Sequence, residues 1–386
     1  MTGQGLGGVS AANEAGNPVI FIESDFLVAT LVVATPLFHH QEVARSENYV
    51  GIDLHTKSSQ LGVIDHQGQP VAEAKLPNDL EQIQLFLQPY GPQLPIAIES
   101  TLNWYWLVDG LQQAGHQVQL VHTLGRYMIS GAKVKTDRRD AFKLAKYLRL
   151  GELPQAYIYP QEKRPLRDLL RRRIGLVQQR AATYTSLRIQ LLRYNLNTFS
   201  LEQLKQLTPE NLETLPIPEE LKAYCLMLIQ RQELFSCQIT QIDEYLQHVT
   251  LDEPGFQRLL TLPGVWYTLA LTIYYEIGDI HRFQSPKHFV SYCRLIPGIA
   301  QSGNTTKRGR GSKQGNPHLK WAFTQAANMA VRYYPPCQQF RDKHARKRTG
   351  NAATMMANGI LAHKLASATF HLLTKDTDFE MTKLFN

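Results

Sequence analysis

Acidic residues are scarce in two long stretches of this 386-residue chain in which basic ones accumulate. Between Gln161 and Ser200 nine Lys/Arg meet two acids, Glu162 and Asp168, and between His281 and Lys320 eight Lys/Arg meet none. The formal net charge is only +8, so the remainder is net acidic and the positive charge sits in two blocks. Such blocks are an electrostatic footprint for a polyanion, although two solvated helix faces would read the same way. Cysteine is scarce as well. Cys225, Cys237, Cys293 and Cys337 show neither close pairing nor metal-type spacing, which suits reduced thiols in an intracellular protein. Long apolar runs are also absent: Phe26–Phe38 is shorter than a membrane span and contains Pro36. No Lys or Arg precedes Arg45, so the positive segment of a signal peptide is lacking. A soluble, cytoplasmic chain with no membrane partner is expected.

Regular patterning begins at Tyr49. YVGIDLH, SQLGVID and PVAEAKL are three strand-like runs separated by short polar turns, and His66–Gly68 suits a hairpin. A helix near Leu80–Leu87, the strand PIAIES, a helix from about Trp104 to Ala114 and the strand QVQLVH come next. Three consecutive strands and then alternating helix and strand predict a mixed sheet covered by helices. Beyond it, Leu166, Leu170, Val177, Tyr184, Leu187 and Leu191 form a coiled-coil or bundle seam interrupted by Arg173 and Arg180. Pro209, Pro216 and Pro218 break this stretch, and Leu221–Leu246 offers a second amphipathic helix, so an antiparallel helical arm is expected. That arm reads equally as a packing or dimerisation element. In the last third, Leu262–Val265 (LPGV) and Ile296–Ile299 (IPGI) each read as a helix-hairpin-helix turn presenting free amides to a phosphate. A Gly-rich basic loop, QSGNTTKRGRGSKQGN, lies after the second copy, and Asn316-Pro317 then reads as a helix start.

Four acids carry the chemistry. Asp53 lies inside an apolar strand and Glu99 ends another, while Asp137 and Asp140 stand three apart in a helix-like stretch and so face one direction. A carboxylate embedded in a buried strand is costly unless compensated, and a hard divalent cation such as Mg²⁺ or Mn²⁺ takes oxygen ligands of this kind. The four suit two-metal phosphoryl transfer, with Arg138 and Arg139 neutralising phosphate charge. Taken singly, Asp137 reads as a helix cap and Asp140 as a surface acid.

The order GIDLH, IES, KTDRRDA, an arginine-rich arm, LPGV, and IPGI followed by a Ser-Gly loop closely resembles the DEDD-type insertion-sequence transposases of the 110/1111 family, also called bridge-RNA-guided recombinases. The likeness runs from about Tyr49 to Leu373. It implies an α/β plus α architecture: a ribonuclease-H-like domain similar to Holliday-junction resolvases (49–158), a coiled-coil arm (159–250), and a mostly helical transposase domain with helix-hairpin-helix-like motifs (251–375), before a short tail (376–386). It further implies metal-dependent DNA cleavage and strand exchange, with Asp53, Glu99, Asp137 and Asp140 holding Mg²⁺ or Mn²⁺ and Ser302 as nucleophile. Nucleic-acid contacts are expected from Arg138, Arg139, Arg167, Arg171, Arg172, Arg173, Arg180, Lys307, Arg308, Arg310 and Lys313. The implied partners are DNA at the element ends and target, a structured guide RNA, and further copies of the chain as a dimer or tetramer. Residues 1–48 have no counterpart in this pattern and are expected to be a poorly ordered extension.

Other readings compete. A metal-dependent nuclease or junction resolvase would need the acids without the serine. Actin-like sugar kinases and ATPases also open on a strand bearing Asp, but their Gly-rich phosphate loops are not found here. A non-catalytic nucleic-acid-binding protein would account for the basic blocks and leave Asp53 and Glu99 unexplained.

Overall fold

The computed structural model describes residues 46–122, 137–196, 199–249, 252–302, 305–309, 314–347, 350 and 352–385; the extension expected over 1–48 lies outside these except for its last residues. All belong to one compact unit, Ala34–Asn386. Among the described residues no helix is long and apolar enough to cross a membrane.

Strands β1 (Asn48–Leu54), β2 (Ser58–Asp65) and β3 (Pro70–Pro77) form an antiparallel meander. Helix α1 (Leu80–Leu87) leads to β4 (Pro95–Glu99), which pairs parallel to β1, and α2 (Tyr105–Gln113) leads to β5 (Gln117–Val121), parallel to β4. After α3 (Asp137–Leu150) the short β6 (Gln155–Ala156) closes the edge, giving the order β3-β2-β1-β4-β5-β6. The mixed sheet expected from the strand runs is therefore present. Its two faces separate by the two-residue period of a strand. Val50, Ile52, Leu54, Ile96 and Ile98 pack with Ile83, Leu87, Leu107 and Leu111 of α1 and α2. Tyr49, Ala97 and Val121 point the other way, onto Leu144, Ala145 and Leu148 of α3.

Beyond the sheet, α4 (Arg164–Leu192) and α7 (Glu219–Gln247) make the antiparallel hairpin expected of the arm. Arg173 meets Asp243, and seven residues on Arg180 meets Ser236, seven residues back along the partner helix. Leu187, Leu191, Cys225, Leu228 and Ile229 then share one cluster with Leu204 of α5 (Leu201–Lys205) and Leu212 of α6 (Pro209–Glu213) at the arm's tip. The C-terminal part is helical: α8 (Pro254–Leu260), α9 (Tyr267–Ile277), α10 (Pro286–Tyr292), α11 (Pro317–Tyr333), α12 (Pro335–Arg346), α13 (Ala353–Thr374) and α14 (Met381–Leu384) surround a core containing Phe256, Phe289 and Phe323.

Two expectations are corrected here. The first Leu-Pro-Gly does connect two helices, α8 and α9, but the second leaves α10 and enters a strand, so no helix restarts at Ile296–Ile299. The stretch read as a Gly-rich loop contains an antiparallel ribbon, β7 (Gly298–Ser302) with β8 (Thr305–Gly309), paired through to Ser302↔Thr305. Thr305 and Thr306, with the strand propensity of β-branched residues, outweigh the flanking glycines.

Gly51 sets how closely α3 lies on the sheet. A Cβ there would fall 2.6 Å from the Ala145 N and inside the contact distance of the Ala141 carbonyl, both helix backbone. Gly51→Val should therefore lower unfolding stability by about 3 kcal/mol or more in urea titrations, because backbone has to move. Gly175→Ala, in α4 with nothing within 4 Å of the added methyl, should instead raise it by about 0.5–1 kcal/mol.

Candidate active site and its supports

Register and packing bring the acids to one face. Gly51 pairs with Ala97 across the parallel β1/β4 junction, and Asp53 and Glu99 lie two residues further along their strands, on the side that α3 covers. Because Ala141 and Leu144 cross Gly51 while Arg149, at the far end of α3, donates to the His66 carbonyl beside Asp65, the partner of Asn48, α3 runs opposite to β1, and its first turn reaches the Asp53 end. Asp140 sits in that first turn. Asp53 and Asp140 are both buried, at 5% exposure each, and Glu99 is half-buried at the strand end. Asp137 begins the same helix. Its side chain lies outside the described set.

Among the described residues no three His, Cys, Asp or Glu side chains are gathered as a ready metal cluster. The donor chemistry nonetheless fits a hard cation: carboxylate oxygens from two strand ends and one helix, with Asp53 and Asp140 both out of bulk water. His55, on the chain just past β1, places its Nε2 3.6 Å from Asp53 Oδ2 and is 40% exposed.

Support for this corner comes from residues that carry no motif. The His55 carbonyl accepts from Asn78 Nδ2 at 2.8 Å and from Asn103 Nδ2 at 3.1 Å, pinning the turn after Asp53 to two loops distant in sequence. Ser59 Oγ donates to Asn78 Oδ1 and Thr101 Oγ1 to Asn103 Oδ1, orienting both amides. The one sequence signal is their position, since Asn78 and Asn103 both stand at element boundaries. Their shared partner cannot be read from it.

The basic residues divide into distinct environments. Arg138 pairs with Glu73 while remaining exposed, and Arg139 and Arg172 are exposed. Four arginines at the root of the arm are built into the protein. Arg164 is buried, grips Asp109 through two bonds of 2.9 and 2.7 Å, and lies 4.6 Å over each of the Trp104 and Tyr105 rings. Arg167 stacks 3.7 Å over Tyr159 and donates to the Tyr105 hydroxyl at 3.0 Å. Arg171 binds Glu276 through Nε and Nη2, one edge of its guanidinium, at 2.5 and 2.8 Å, and Arg173 does the same with Asp243 at 2.5 and 2.7 Å. Arg180 reaches Ser236 at 3.2 Å. Lys307 and Arg308 stand on β8, paired with Ala300 and Ile299, and Ser302 ends β7. Arg310 and Lys313 lie outside the described residues, as do the side chains of the ribbon.

The two ends of the excursion carrying Ser302 are clamped together. Asn316 N donates to the Tyr292 carbonyl at 2.6 Å, and Arg294 Nε donates to the Gly315 carbonyl at 2.9 Å. Gly315, at φ +94°, lies so close to the Tyr292 carbonyl that no side chain fits. Asn316 caps α11 with its Oδ1 and donates its Nδ2 to Glu276 at 2.6 Å, so the buried Glu276 receives both Arg171 and Asn316. Burial alone pushes the Glu276 carboxyl up, but the Arg171 guanidinium and the Asn316 amide outweigh it and hold it below the usual range. His318, in the first turn of α11, is kept below the ordinary imidazole value by burial first and then by Arg171, Arg167 and Arg294, against Glu276.

A DEDD transposase family model of the IS110 type matches residues 50–196, and a second, the transposase IS116/IS110/IS902 family, matches residues 256–344. The chain belongs to the IS110 family of transposases. Its relatives include the Sinorhizobium fredii protein y4qE, 27% identical over 76% of this chain and 71% of the relative. The transposase for insertion sequence element IS1328 of Yersinia enterocolitica is 24% identical over 86% and 98%, and that for IS1111A of Coxiella burnetii 26% over 74% and 78%. The acid-bearing sheet falls inside the first matched segment and the clamped ribbon inside the second, so this transposase divides its candidate chemistry between two regions joined through the arm root.

Removing Arg171 leaves Glu276 charged and buried. Arg171→Ala should cost about 3–5 kcal/mol of stability, and adding Glu276→Gln to it should recover part of the loss, as read by denaturant unfolding. The sign with pH comes from the lowered carboxyl. The pair's contribution is complete above the ordinary glutamate range and is lost as pH falls through the lower value held in the fold, so wild type should shed stability in acid that Arg171→Ala never had.

Proposed function

We propose that this transposase cuts and rejoins DNA at a composite site: Asp53, Glu99, Asp137 and Asp140 hold a divalent metal, and Ser302 supplies the nucleophile. The observation that carries the reading is the shared face of Asp53, Glu99 and Asp140 at the ends of two parallel strands, in a domain matched by the DEDD transposase model. The strand order and this placement support a ribonuclease-H-like domain. Bound Mg²⁺ or Mn²⁺ would lower the cost of charge building up on a phosphodiester. The acids orient that ion, and burial of Asp53 and Asp140 keeps their oxygens out of bulk water.

Ser302 Oγ attacks the phosphorus, a P–Oγ bond forms as the hydroxyl gives up its proton, one phosphorus–sugar oxygen bond breaks, and a proton returns from solvent to the departing oxygen as a hydroxyl, so none is gained or lost overall. Rejoining reverses these steps with a different strand's hydroxyl, so no external energy source is needed. Lys307, Arg308, Arg310 and Lys313 neutralise the strand beside the serine, and Arg138, Arg139 and Arg172 extend the positive surface. An RNA guide and assembly of several copies complete the reading by likeness to the family.

Asp53→Asn and Asp140→Asn should abolish strand exchange with Mg²⁺ present while DNA binding persists; full recombination by either variant would overturn the metal role. Ser302→Ala should bind DNA yet form no covalent protein–DNA species on a nicked substrate, with Ser312→Ala as the control that still does. Efficient cleavage by Ser302→Ala would return the acids to ordinary nuclease chemistry. Unchanged recombination after RNase treatment of the purified complex would remove the guide.

A further inference from the structure

Helix α11 has an edge that the chemistry above does not use. Lys320, Thr324, Asn328 and Arg332 recur every four residues and so line one side, with Lys320, Asn328 and Arg332 exposed, while Leu319, Ala322, Phe323, Ala326, Ala327 and Ala330 are buried on the other. The helix contains no acid. Asn328 is held in place, its Oδ1 accepting from Asn358 Nδ2 of α13 at 2.8 Å.

At the C-terminal end of this edge two large aromatics stand side by side in solvent. Trp266 and Tyr333 are 53% and 52% exposed, their ring centroids 5.5 Å apart, and the Arg332 guanidinium lies 5.6 Å from the Tyr333 ring. The platform rests on a close backbone contact. Trp266 comes directly after the Leu262–Val265 turn, and Gly264, at φ +75°, presses against α11 so closely that a Cβ would fall 2.6 Å from Ala330 N. Trp266 begins α9 without any side-chain capping bond, so the helix start does not require an indole.

We infer that this edge binds a single nucleic-acid strand, the Trp266–Tyr333 pair stacking an unpaired base while Arg332 holds a phosphate beside it and Lys320 one a few nucleotides further along. Several observations select this occupant over an apolar protein partner. Exposed aromatic faces beside an arginine accept any base and tolerate any sequence. Between Phe256 and Lys375 seventeen Lys/Arg face only Glu276, Asp279 and Asp342, a balance that favours a polyanion. From Lys320 to Arg332 the edge spans about 18 Å, room for a few nucleotides. A transposase also has to handle unpaired strands between cleavage and rejoining. The inference uses family membership alone and stands whether or not Ser302 is the nucleophile.

The test is fluorescence anisotropy of the full chain with a labelled mixed-sequence single strand and with the blunt duplex of the same length. Trp266→Ala should weaken single-strand binding on the order of tenfold and leave duplex binding nearly unchanged, and Trp266→Phe should retain most of the affinity. Lys320→Gln with Arg332→Gln should weaken both ligands and flatten the salt dependence by roughly 0.7 per lost phosphate contact for the single strand. A 2-aminopurine placed in the strand should be quenched by wild type and not by Trp266→Ala. Thermal unfolding of each variant separates loss of the platform from loss of fold, and Tyr333→Ala provides a second disruption away from the helix start. Wild-type single-strand affinity in both Trp266→Ala and Tyr333→Ala, or equal losses on single strand and duplex, would overturn the inference. A ribonucleotide strand of the same sequence in parallel tells whether DNA or RNA is the better ligand.

Discussion

The buried carboxylate of Glu276 is the constraint on which the remaining architecture hangs. It receives Arg171 from the arm helix and Asn316 from the start of α11, so three elements meet on one charge. An isolated carboxylate at that depth would be neutral or destabilising, and its low pKa reflects how fully the guanidinium and amide compensate it. Asn316 is also where the ribbon bearing Ser302 returns to the helical domain, closed by its own N–H to the Tyr292 carbonyl. The base of the serine segment is thereby tied to the arm.

A second set of contacts ties the arm to the sheet. Arg164 grips Asp109 of α2 beneath Trp104 and Tyr105, Arg167 reaches Tyr105, and the Tyr159 hydroxyl donates to the Tyr275 carbonyl of α9. Arginine suits such a junction because its planar fork makes paired bonds while its faces stack on aromatic rings. The acid-bearing corner and the serine ribbon are thus linked through one continuous set of charged and aromatic contacts rather than through a shared apolar core. The clusters around Ile52 and around Phe323 remain separate.

Much of this is legible from residue patterns. Alternation in YVGIDLH and PIAIES places strands at the right positions, and the apolar seam of the arm marks its helices. Asp53 stands out because an acid in a doubly buried strand demands compensation. The second Pro-Gly misleads because a turn signal says where a helix stops and not which element comes next, and the Thr-Thr of β8 makes a ribbon there. The arm arginines cannot be sorted by sequence. Arg171 and Arg172 are adjacent and chemically identical, yet a helix turns 100° between them, so one faces Glu276 and the other water.

Residue pattern alone settles the order of strands and helices from β1 to β5, points to the family, and picks out the acids as candidates, because strand and helix periodicities are local and the motif residues are few. Folding in three dimensions is needed to run α3 opposite to β1 over Gly51, which carries Asp140 toward Asp53, and to bring Asn78 and Asn103 onto one carbonyl. It also determines which arginines are spent inside the protein. Each of these depends on a partner distant along the chain, and charge burial is settled only when that partner is in place.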